Sequence, residues 1–262
     1  MSFGGKAAGV LGILAIACSM PIPALAAEAK PTRWTSTDLP LEKLPSEVRD
    51  SVANVVDHPA LYAHGPVEEV VCDPTNYYWL LDHPDRATYA WRRLGAKCVD
   101  IQDCGNDCFC CNDPDGNDVR WTTVYRSADM RIWYAEGSIR VGPLLKPVTG
   151  KAVLVVRLTE GTDIKGRKLI RQQTDMILHA DSKTAAFVAK VLGASMPQLA
   201  EQYLVNQSKF FSLLAIYLRL HPDRAPALLA EKAPDEPQMS ALPIPNSPSK
   251  ARQVLNAAPK QP

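Results

Sequence analysis

Residues 67–86 read VEEVVCDPTNYYWLLDHPDR, and this stretch decides the fold. The apolar run that ends at Cys72 favours a strand. Asp73-Pro74 then favours the start of a helix, because Asp is a good N-cap and Pro already has the φ angle required at the first helical position. His83-Pro84 interrupts this helix and starts a second one, which Gly95 can cap. The sequence therefore predicts a strand at 67–72 followed by helices at 74–82 and 84–94.

From Lys97 onward the pattern changes to that of strands. The predicted strands lie at 97–103, 108–112, 119–126, 130–137, 151–159 and 168–178. The residues Asp-Pro-Asp-Gly-Asn-Asp at 113–118 are a strong turn signal, so the strands on either side should form a hairpin. Val153–Leu158 is continuously apolar except for Arg157, which indicates a central strand.

Two helices are predicted after the last strand. The first runs from Asp181 to Gly193. Ser195-x-x-Gln198 is a capping-box pattern and opens a longer helix that ends near Leu220. Between Phe210 and Leu218 this helix is apolar nearly all round, so we expect other elements to cover both of its sides.

The resulting order of elements, β-α-α-β6-α, resembles that of the START-like superfamily. This superfamily, also called helix-grip, includes polyketide cyclase-like and lipid-transfer proteins. The stretch Val70–Arg86 is the best local match, with its strand, its Asp-Pro helix start and its Trp-Leu-Leu run. The resemblance extends over about 66–220. It implies an α+β fold in which a curved antiparallel sheet of about seven strands packs on the long C-terminal helix.

The resemblance also implies a cavity between sheet and helix that holds an apolar ligand, and it implies binding or transport rather than catalysis. Trp121 and Trp133, on adjacent strands, are the candidate wall residues on the sheet. Arg131 and Arg157 are candidate anchors for a carboxylate or phosphate head group, because guanidinium binds such oxygens bidentately. The candidate residues on the long helix are Phe210, Leu214 and Tyr217.

Four segments are expected along the chain. Residues 1–26 resemble a secretory signal peptide, with Lys6, an apolar run at 7–17 and a small-residue cleavage site at 24–26. An alternative is lipidation at Cys18, because Ala15-Ile16-Ala17-Cys18 is similar to the lipobox of bacterial lipoproteins. Both outcomes predict an exported protein, periplasmic or extracellular, whose mature chain has no transmembrane span. The other segments are a lead-in with one short helix (27–65), a START-like domain (66–231) and a disordered Pro-rich tail (232–262).

The composition narrows the class of function. With 29 basic and 28 acidic residues, the chain lacks the basic excess typical of nucleic-acid binding. It contains no nucleophile elbow and no phosphate-binding glycine loop. We therefore predict no catalytic residue, no cofactor and no metal. Asp175 and His179 share one face of their strand with Arg171 and Gln173, which favours a solvated polar side over a metal or acid–base site.

Six cysteines follow the predicted signal peptide: Cys72, Cys98, Cys104, Cys108, Cys110 and Cys111. An even number in an exported protein favours disulfides, although six cysteines allow fifteen pairings. Cys104, Cys108 and Cys111 also have the C-x3-C-x2-C spacing of an iron–sulfur site. A thiolate metal site therefore stays open as an alternative. This cysteine-rich hairpin and the helix predicted near 45–58 are departures from the START-like pattern.

These observations predict an exported, non-catalytic protein that binds a hydrophobic small molecule, such as an envelope lipid, between sheet and C-terminal helix. The alternative is a structural or protein-interaction module of the cell envelope, with the cystine-rich hairpin as its contact surface. A third hypothesis is a redox or metalloenzyme that uses the cysteine cluster.

Overall fold

The fold is α+β, with eight antiparallel strands in one curved sheet. The computed structural model describes residues 33–112, 116–139, 147–180 and 196–230. The strands are β1 Leu61–His64, β2 Glu68–Val71, β3 Ile101–Asp103, β4 Cys108–Asn112, β5 Asp118–Arg126, β6 Met130–Ile139, β7 Val148–Thr162 and β8 Lys168–His179. The helices are α1 Ser46–Asp57, α2 Pro74–Asp82, α3 Pro84–Arg93, α4 Met196–Leu220 and α5 Ala225–Leu229. Within these ranges, no helix is long and apolar enough to cross a membrane.

The sheet runs in the order β3-β4-β5-β6-β7-β8, and β8 then pairs with both β1 and β2 along its length. Pairing with β8 is interrupted between β1 and β2 at Gly65, where α4 crosses the sheet. A Cβ atom on Gly65 would lie 2.8 Å from the Thr174 carbonyl oxygen and 3.3 Å from Leu204 Cβ. The close approach of the Thr174 carbonyl on β8, with Leu204 of α4 beside it, therefore requires glycine at this position.

The local signals in the opening stretch are confirmed. The Asp73 carboxylate caps α2 by accepting the backbone N–H of Thr75 at 2.9 Å. Gly95 follows α3 with a φ of 84°, a left-handed conformation that favours glycine. The predicted hairpin is also present, since Asn112 pairs with Asp118 across β4 and β5. The predicted helix at 181–193 and the tail from 232 lie outside the described residues.

Two boundaries differ from the prediction, and one strand was not predicted. Strand β3 is limited to Ile101–Asp103, whereas β7 extends to Val148–Thr162. Residues Leu61–His64 form β1, although the sequence analysis assigned them to an irregular lead-in. The five residues between His58-Pro59 and Gly65-Pro66 are too few to show an alternating pattern.

Helices pack on both faces of the sheet, so it has two cores. We call the face toward α2, α3 and α4 the inner face, and the face toward α1 the outer face. The inner core combines apolar side chains of the helices with those of the strands, among them Leu80, Leu81, Val156, Ile170, Leu204, Leu214 and Leu218. The outer core joins α1 to the other side of the same strands through Val52, Val55, Val56, Ile132, Val153, Val155 and Ile177. The extra N-terminal helix thus covers the outer face.

Candidate ligand-binding recess

The two tryptophans predicted to form a wall both lie on the inner face. Trp133 on β6 is 5% exposed, and its ring centroid is 6.1 Å from that of Phe211 on α4. Trp121 on β5 is partly buried, with its ring 5.8 Å from that of Phe109 on β4. Large aromatic rings therefore bridge the gap between strands β4–β6 and the long helix.

The three helix residues predicted to bind the ligand lie in the inner layer, but each makes different contacts. Leu214 is fully buried in the core. The Phe210 ring packs edge-on to Phe211 at 5.0 Å, and the Phe210 carbonyl accepts the Trp91 indole N–H at 2.9 Å. Tyr217 is turned toward the end of the helix, where its hydroxyl accepts a hydrogen bond from Arg224 at 3.0 Å. Phe211, rather than Phe210, is the residue that meets Trp133.

Arg131 lies on the inner face, but its guanidinium is paired with a carboxylate of the protein itself. It is 6% exposed, and its Nε lies 2.9 Å from the Asp82 carboxylate at the end of α2. The guanidinium also donates to the carbonyl of Ser127 and lies 5.2 Å from the centre of the Tyr78 ring. Arg131 therefore holds α2 against β6 and does not present its charge to a ligand.

Arg157 lies on the outer face, so the prediction that it faces the pocket is wrong. Its neighbours in β7, Val156 and Leu158, point to the inner core, and alternation along a strand places Arg157 on the other side. Its Nη2 atom lies 3.0 Å from the Asp175 carboxylate, and its guanidinium covers the Trp34 ring at 5.7 Å. A shift of one residue along a strand moves every side chain to the opposite face of the sheet, and the sequence pattern did not determine which residues of β7 face inward.

Asp175 is likewise not on a solvated side as predicted. It is 1% exposed and accepts the Trp34 indole N–H at 2.8 Å, while His64 Nδ1 lies 2.9 Å from its other oxygen. These bonds fasten the segment before α1 to the outer face. The prediction failed because Trp34, more than a hundred residues earlier in the chain, covers this position.

Part of β6 and β7 carries only small side chains on the inner face. Ala135 pairs with Ala152, and Gly137 pairs with Gly150, in two neighbouring rows across these strands. Trp121 flanks the first row, since it pairs with Ala135 across β5 and β6. No side chain larger than a methyl group therefore rises from this part of β6 and β7.

Tyr203 on α4 is surrounded by protein and yet open to solvent. The surrounding atoms, and after them the Cys111 thiol on β4, raise the pKa of Tyr203 above its usual value. Even so, 56% of the Tyr203 side chain is exposed. Tyr203 is therefore a large ring that contacts both protein and solvent. We call the region between Tyr203 and Gln207 on α4 and Trp121, Ala135 and Ala152 on the sheet the recess.

Three polar side chains beside the recess have buried atoms without hydrogen-bond partners among the described residues. They are the Trp133 indole N–H, the Thr123 hydroxyl and both ends of the Gln207 amide. Thr123 and Trp133 face each other across β5 and β6, and Gln207 lies one helical turn before Phe211, which contacts Trp133. Each such atom costs about 1–3 kcal/mol when it has no partner. Unpaired buried groups are rare in native proteins, so each of them requires an explanation.

A second polar cluster, missed in the sequence, fixes α4 to the sheet. Glu68 on β2 accepts hydrogen bonds from Gln172 Nε2 at 3.0 Å, from the Ser208 hydroxyl and from the Ser212 hydroxyl at 3.2 Å. Gln172, Ser208 and Ser212 are all buried. The signal was present, because two serines four residues apart in an apolar helix lie on one face. Tyr77, Gln172 and Thr174 add further unpaired buried oxygens in the described inner layer.

The cysteines form one disulfide within the described residues, between Cys104 and Cys110. It pins the turn that joins β3 to β4. Cys72, Cys98 and Cys108, also predicted as candidates, carry thiols, and burial raises the pKa of Cys72 to about 12. In the described part of the chain, no group of three or more His, Cys, Asp or Glu side chains is placed to hold a metal ion.

Two hollows outside the inner layer are polar, and their charges pair with each other. A groove of about 740 Å³ on the outer face includes Lys151, whose ammonium lies 3.0 Å from Glu136. A hollow of about 630 Å³ near the end of α2 includes Arg126, which lies 2.7 Å from Asp107. The recess differs from both, because it combines apolar walls with polar atoms that lack partners.

No protein-family model and no curated protein matches this chain. Solved structures that are similar include a conserved protein from Geobacillus kaustophilus, with 14% identity and a TM-score of 0.40 over 60% of this chain and 97% of that one. Norcoclaurine synthase from Thalictrum flavum has 12% identity and a TM-score of 0.36 over 59% and 85%. A hypothetical protein from Helicobacter pylori has 11% identity and a TM-score of 0.36 over 68% and 94%. Similarities at this level carry no argument about function.

Proposed function

We propose that this protein is a non-catalytic carrier of a hydrophobic small molecule, which it holds in the recess, and that it is a distant member of the START-like superfamily. The observation that supports this most is Tyr203, a large aromatic ring of α4 that is 56% exposed. It faces β4 beside the part of the sheet where β6 and β7 carry only Ala135, Gly137, Gly150 and Ala152. Apolar walls around solvent are typical of small-molecule sites.

The energetics favour an apolar occupant. Water in such a hollow finds few partners on alanine, glycine and aromatic surfaces. A ligand that removes about 200 Å² of apolar surface from water gains about 5 kcal/mol at 25 cal/mol per Å². Part of that gain offsets the cost of association, so this contribution alone gives dissociation constants of about 0.2 mM or weaker.

The proposed cellular setting is the envelope of an exporting cell, with an envelope lipid as the ligand. Residues 1–26 supply the signal, with lipidation at Cys18 as the alternative end of processing. The Cys104–Cys110 disulfide supports export, because persistent disulfides form in oxidising compartments. Residues 66–231 would then carry the binding domain, and 232–262 a tail without fixed structure.

Titration with N-phenyl-1-naphthylamine, a neutral dye that fluoresces in apolar surroundings, tests the proposal. We expect saturable binding to the wild type. Tyr203→Glu should weaken it about 10-fold or more, because it places a charge at the recess. Leu213→Glu is the matched control, since Leu213 is 50% exposed and lies opposite Leu204 on the helix. An equal effect of both substitutions, or no saturable binding, would overturn the proposal.

A second candidate function, a protein-interaction module, is favoured by the hairpin. Its disulfide-pinned turn holds Gly105, Asn106 and Asp107 in left-handed conformations, and β3 beside it is an edge of the described sheet. A rigid turn next to an open strand edge suits recognition of another chain. Cross-linking in whole cells with Cys104→Ser/Cys110→Ser as the comparison tests it. Loss of a partner in the variant, with dye binding unchanged, would favour this function.

A further inference from the structure

We infer that the hairpin of β3 and β4 is a site of thiol–disulfide exchange, in which Cys104 alternates between two partners on β4, Cys110 and Cys108. The exchange moves the thiol from Cys108 to Cys110, which lines the groove on the outer face of the sheet. The substrate class at the Cys110 thiol is a disulfide of another molecule. This inference does not depend on the recess and adds a chemical activity to the protein.

The register of the hairpin places Cys104 directly across from Cys108. Asp103 on β3 pairs with Phe109 on β4, and the next residues on the two sides are Cys104 and Cys108. The backbone N–H of Cys104 donates to the carbonyl oxygen of Cys108 at 2.7 Å. Residues that face each other in an antiparallel ladder have Cα atoms about 4.5–5.5 Å apart. That separation lies within the range of about 4.4–6.8 Å over which a disulfide forms.

Cys110, the present partner of Cys104, is the more distant of the two. It lies diagonally across the hairpin, with 6.2 Å between the Cα atoms of the disulfide. Cys108 and Cys110 are two residues apart on one strand, so both project from the same face of β4. Phe109 between them packs on Trp121, which lies on the inner face, so both sulfurs lie on the outer face. Both positions are within the Cα range of a disulfide, so the exchange leaves the backbone of the hairpin in place.

The exchange is balanced without an outside oxidant or reductant. Cys108 loses its proton to solvent, and its thiolate attacks the Sγ atom of Cys104. The Cys104–Cys108 bond forms as the Cys104–Cys110 bond breaks, and the electron pair leaves on Cys110, which takes up a proton. These three cysteines therefore hold one thiol and one disulfide both before and after the step.

The surroundings favour Cys110 as the leaving group and expose it to a substrate. Arg120 on β5 pairs with Cys110, and both residues line the outer groove of about 740 Å³. A guanidinium next to a sulfur stabilises its thiolate, so that sulfur leaves faster. Cys108 pairs with the uncharged Thr122 instead. The Cys110 thiolate can then attack a disulfide in the groove, which forms a mixed disulfide and releases the other half of that molecule as a thiolate.

Thiol labelling of the full chain, prepared without reductant, tests the exchange. Within the hairpin, N-ethylmaleimide should label Cys108 in some wild-type molecules and Cys110 in others, and it should leave Cys104 unlabelled. Chymotrypsin cleaves after Phe109, between the two labelled cysteines, so mass spectrometry can assign the label. Wild-type protein in which Cys110 never carries the label, or carries it only together with Cys104, would overturn the inference.

Two variants separate exchange from simple exposure of a thiol. Cys108→Ser should abolish the labelling of Cys110, because no attacking thiol is left beside the disulfide. Cys110→Ser, oxidised with oxidised glutathione, should form the Cys104–Cys108 disulfide. Cys98→Ser is the matched control and should label like the wild type, since the Cys98 thiol lies 3.7 Å from the Thr88 carbonyl of α3. Labelling of Cys110 that persists in Cys108→Ser, or a Cys104 thiol that stays unpaired in Cys110→Ser, would overturn the inference.

A reaction with oxidised glutathione tests the role of the groove. Wild-type protein should take up glutathione on Cys110, and Cys108→Ser should take up none at that position. Arg120→Gln should slow this uptake about 3-fold or more, and Arg120→Lys should restore the rate, because the positive charge stabilises the Cys110 thiolate. An equal rate in Arg120→Gln and wild type, or glutathione on Cys108 alone, would contradict the inference.

Discussion

The two halves of α4 meet the sheet in different ways. In the C-terminal half, Leu214, Ala215 and Leu218 are buried to 1% exposure or less. In the N-terminal half, Leu199 is 46% and Tyr203 56% exposed, although Ala200 and Leu204 in the same half are buried. We call these the closed half and the open half. The comparison teaches that a continuous apolar pattern can both build a core and line a recess.

The difference has a physical cause in what each half faces. The closed half packs against α2 and β2, where the Glu68 cluster holds Ser208 and Ser212, and Arg219 donates to the Val71 carbonyl at 2.9 Å. The open half lies over β1 and β8, where Leu204 is beside Gly65. Both carboxylate oxygens of Glu68 accept hydrogen bonds, whereas the amide of Gln207, next to Ser208 in the sequence, has no partner among the described residues.

Truncating one side chain in each half should give the largest difference in the free energy of unfolding. Leu214→Ala should lower the free energy of unfolding by about 2–5 kcal/mol, because it leaves a cavity in a packed core. Tyr203→Ala should lower it by less than about 1 kcal/mol, because the ring is already half exposed. Urea unfolding followed by circular dichroism measures both. A cost of more than about 2 kcal/mol for Tyr203→Ala would show that the open half is packed.

Removing the brace that holds α2 over the closed half should give the next largest effect. Arg131→Gln should lower the free energy of unfolding by about 2 kcal/mol, because it breaks a partly buried, charged hydrogen-bond pair with Asp82. Arg171→Gln is the control, since its ion pair with Glu69 is exposed and should contribute less than about 0.5 kcal/mol. Equal losses in the two variants would contradict the role given to Arg131.

Substitutions at two adjacent residues of α4 should change the free energy of unfolding in opposite directions. Ser208→Ala should destabilise the protein by about 1–2 kcal/mol, because it removes a donor to Glu68. Gln207→Leu should stabilise it by about 1 kcal/mol, because it removes a buried amide without partners. Chemical unfolding of the ligand-free variants checks this. Destabilisation by Gln207→Leu would mean that the amide is satisfied in solution.

We expect the smallest change in stability at the hairpin turn, which lies outside both halves of α4. Hydrogen bonds from Arg126 hold the pKa of Asp107 below its usual 3.8. Its contribution is therefore present above the unfolded pKa and is lost as the pH falls through the lower folded value. Asp107 is about half exposed, so Asp107→Asn should cost less than about 1 kcal/mol near neutral pH. The difference from wild type should shrink as the solution is acidified below about pH 4, with dye binding unchanged. A difference that grows on acidification would contradict the assignment.

The order of the elements could be predicted because each signal is local. Asp73-Pro74, His83-Pro84 and Gly95 act through their own backbone and nearest neighbours, and all three lie where a helix begins or ends. Trp121 and Trp133 lie on the inner face, but the sequence pattern left the parity of their strands uncertain by one residue.

The partners of polar side chains could not be predicted, because they are distant in the sequence. Arg131 meets Asp82, 49 residues earlier, and Arg157 meets Asp175 on the next strand. A bulge between Thr123 and Tyr125 also breaks the alternation of β5, so no simple parity describes that strand. Gln207 lacks hydrogen-bond partners because of residues that are distant in the sequence, so the residues next to it in the chain do not reveal this.

The indole N–H signals of the five tryptophans give the most direct test that the open half binds a ligand. In a nitrogen–proton correlation spectrum, a neutral apolar ligand such as decanamide should shift the signals of Trp121 and Trp133. Trp34, which donates to Asp175 on the outer face, and Trp91, which donates to the Phe210 carbonyl, should stay in place. A titration that moves Trp34 instead, or that moves no indole signal at saturating ligand, would contradict the account.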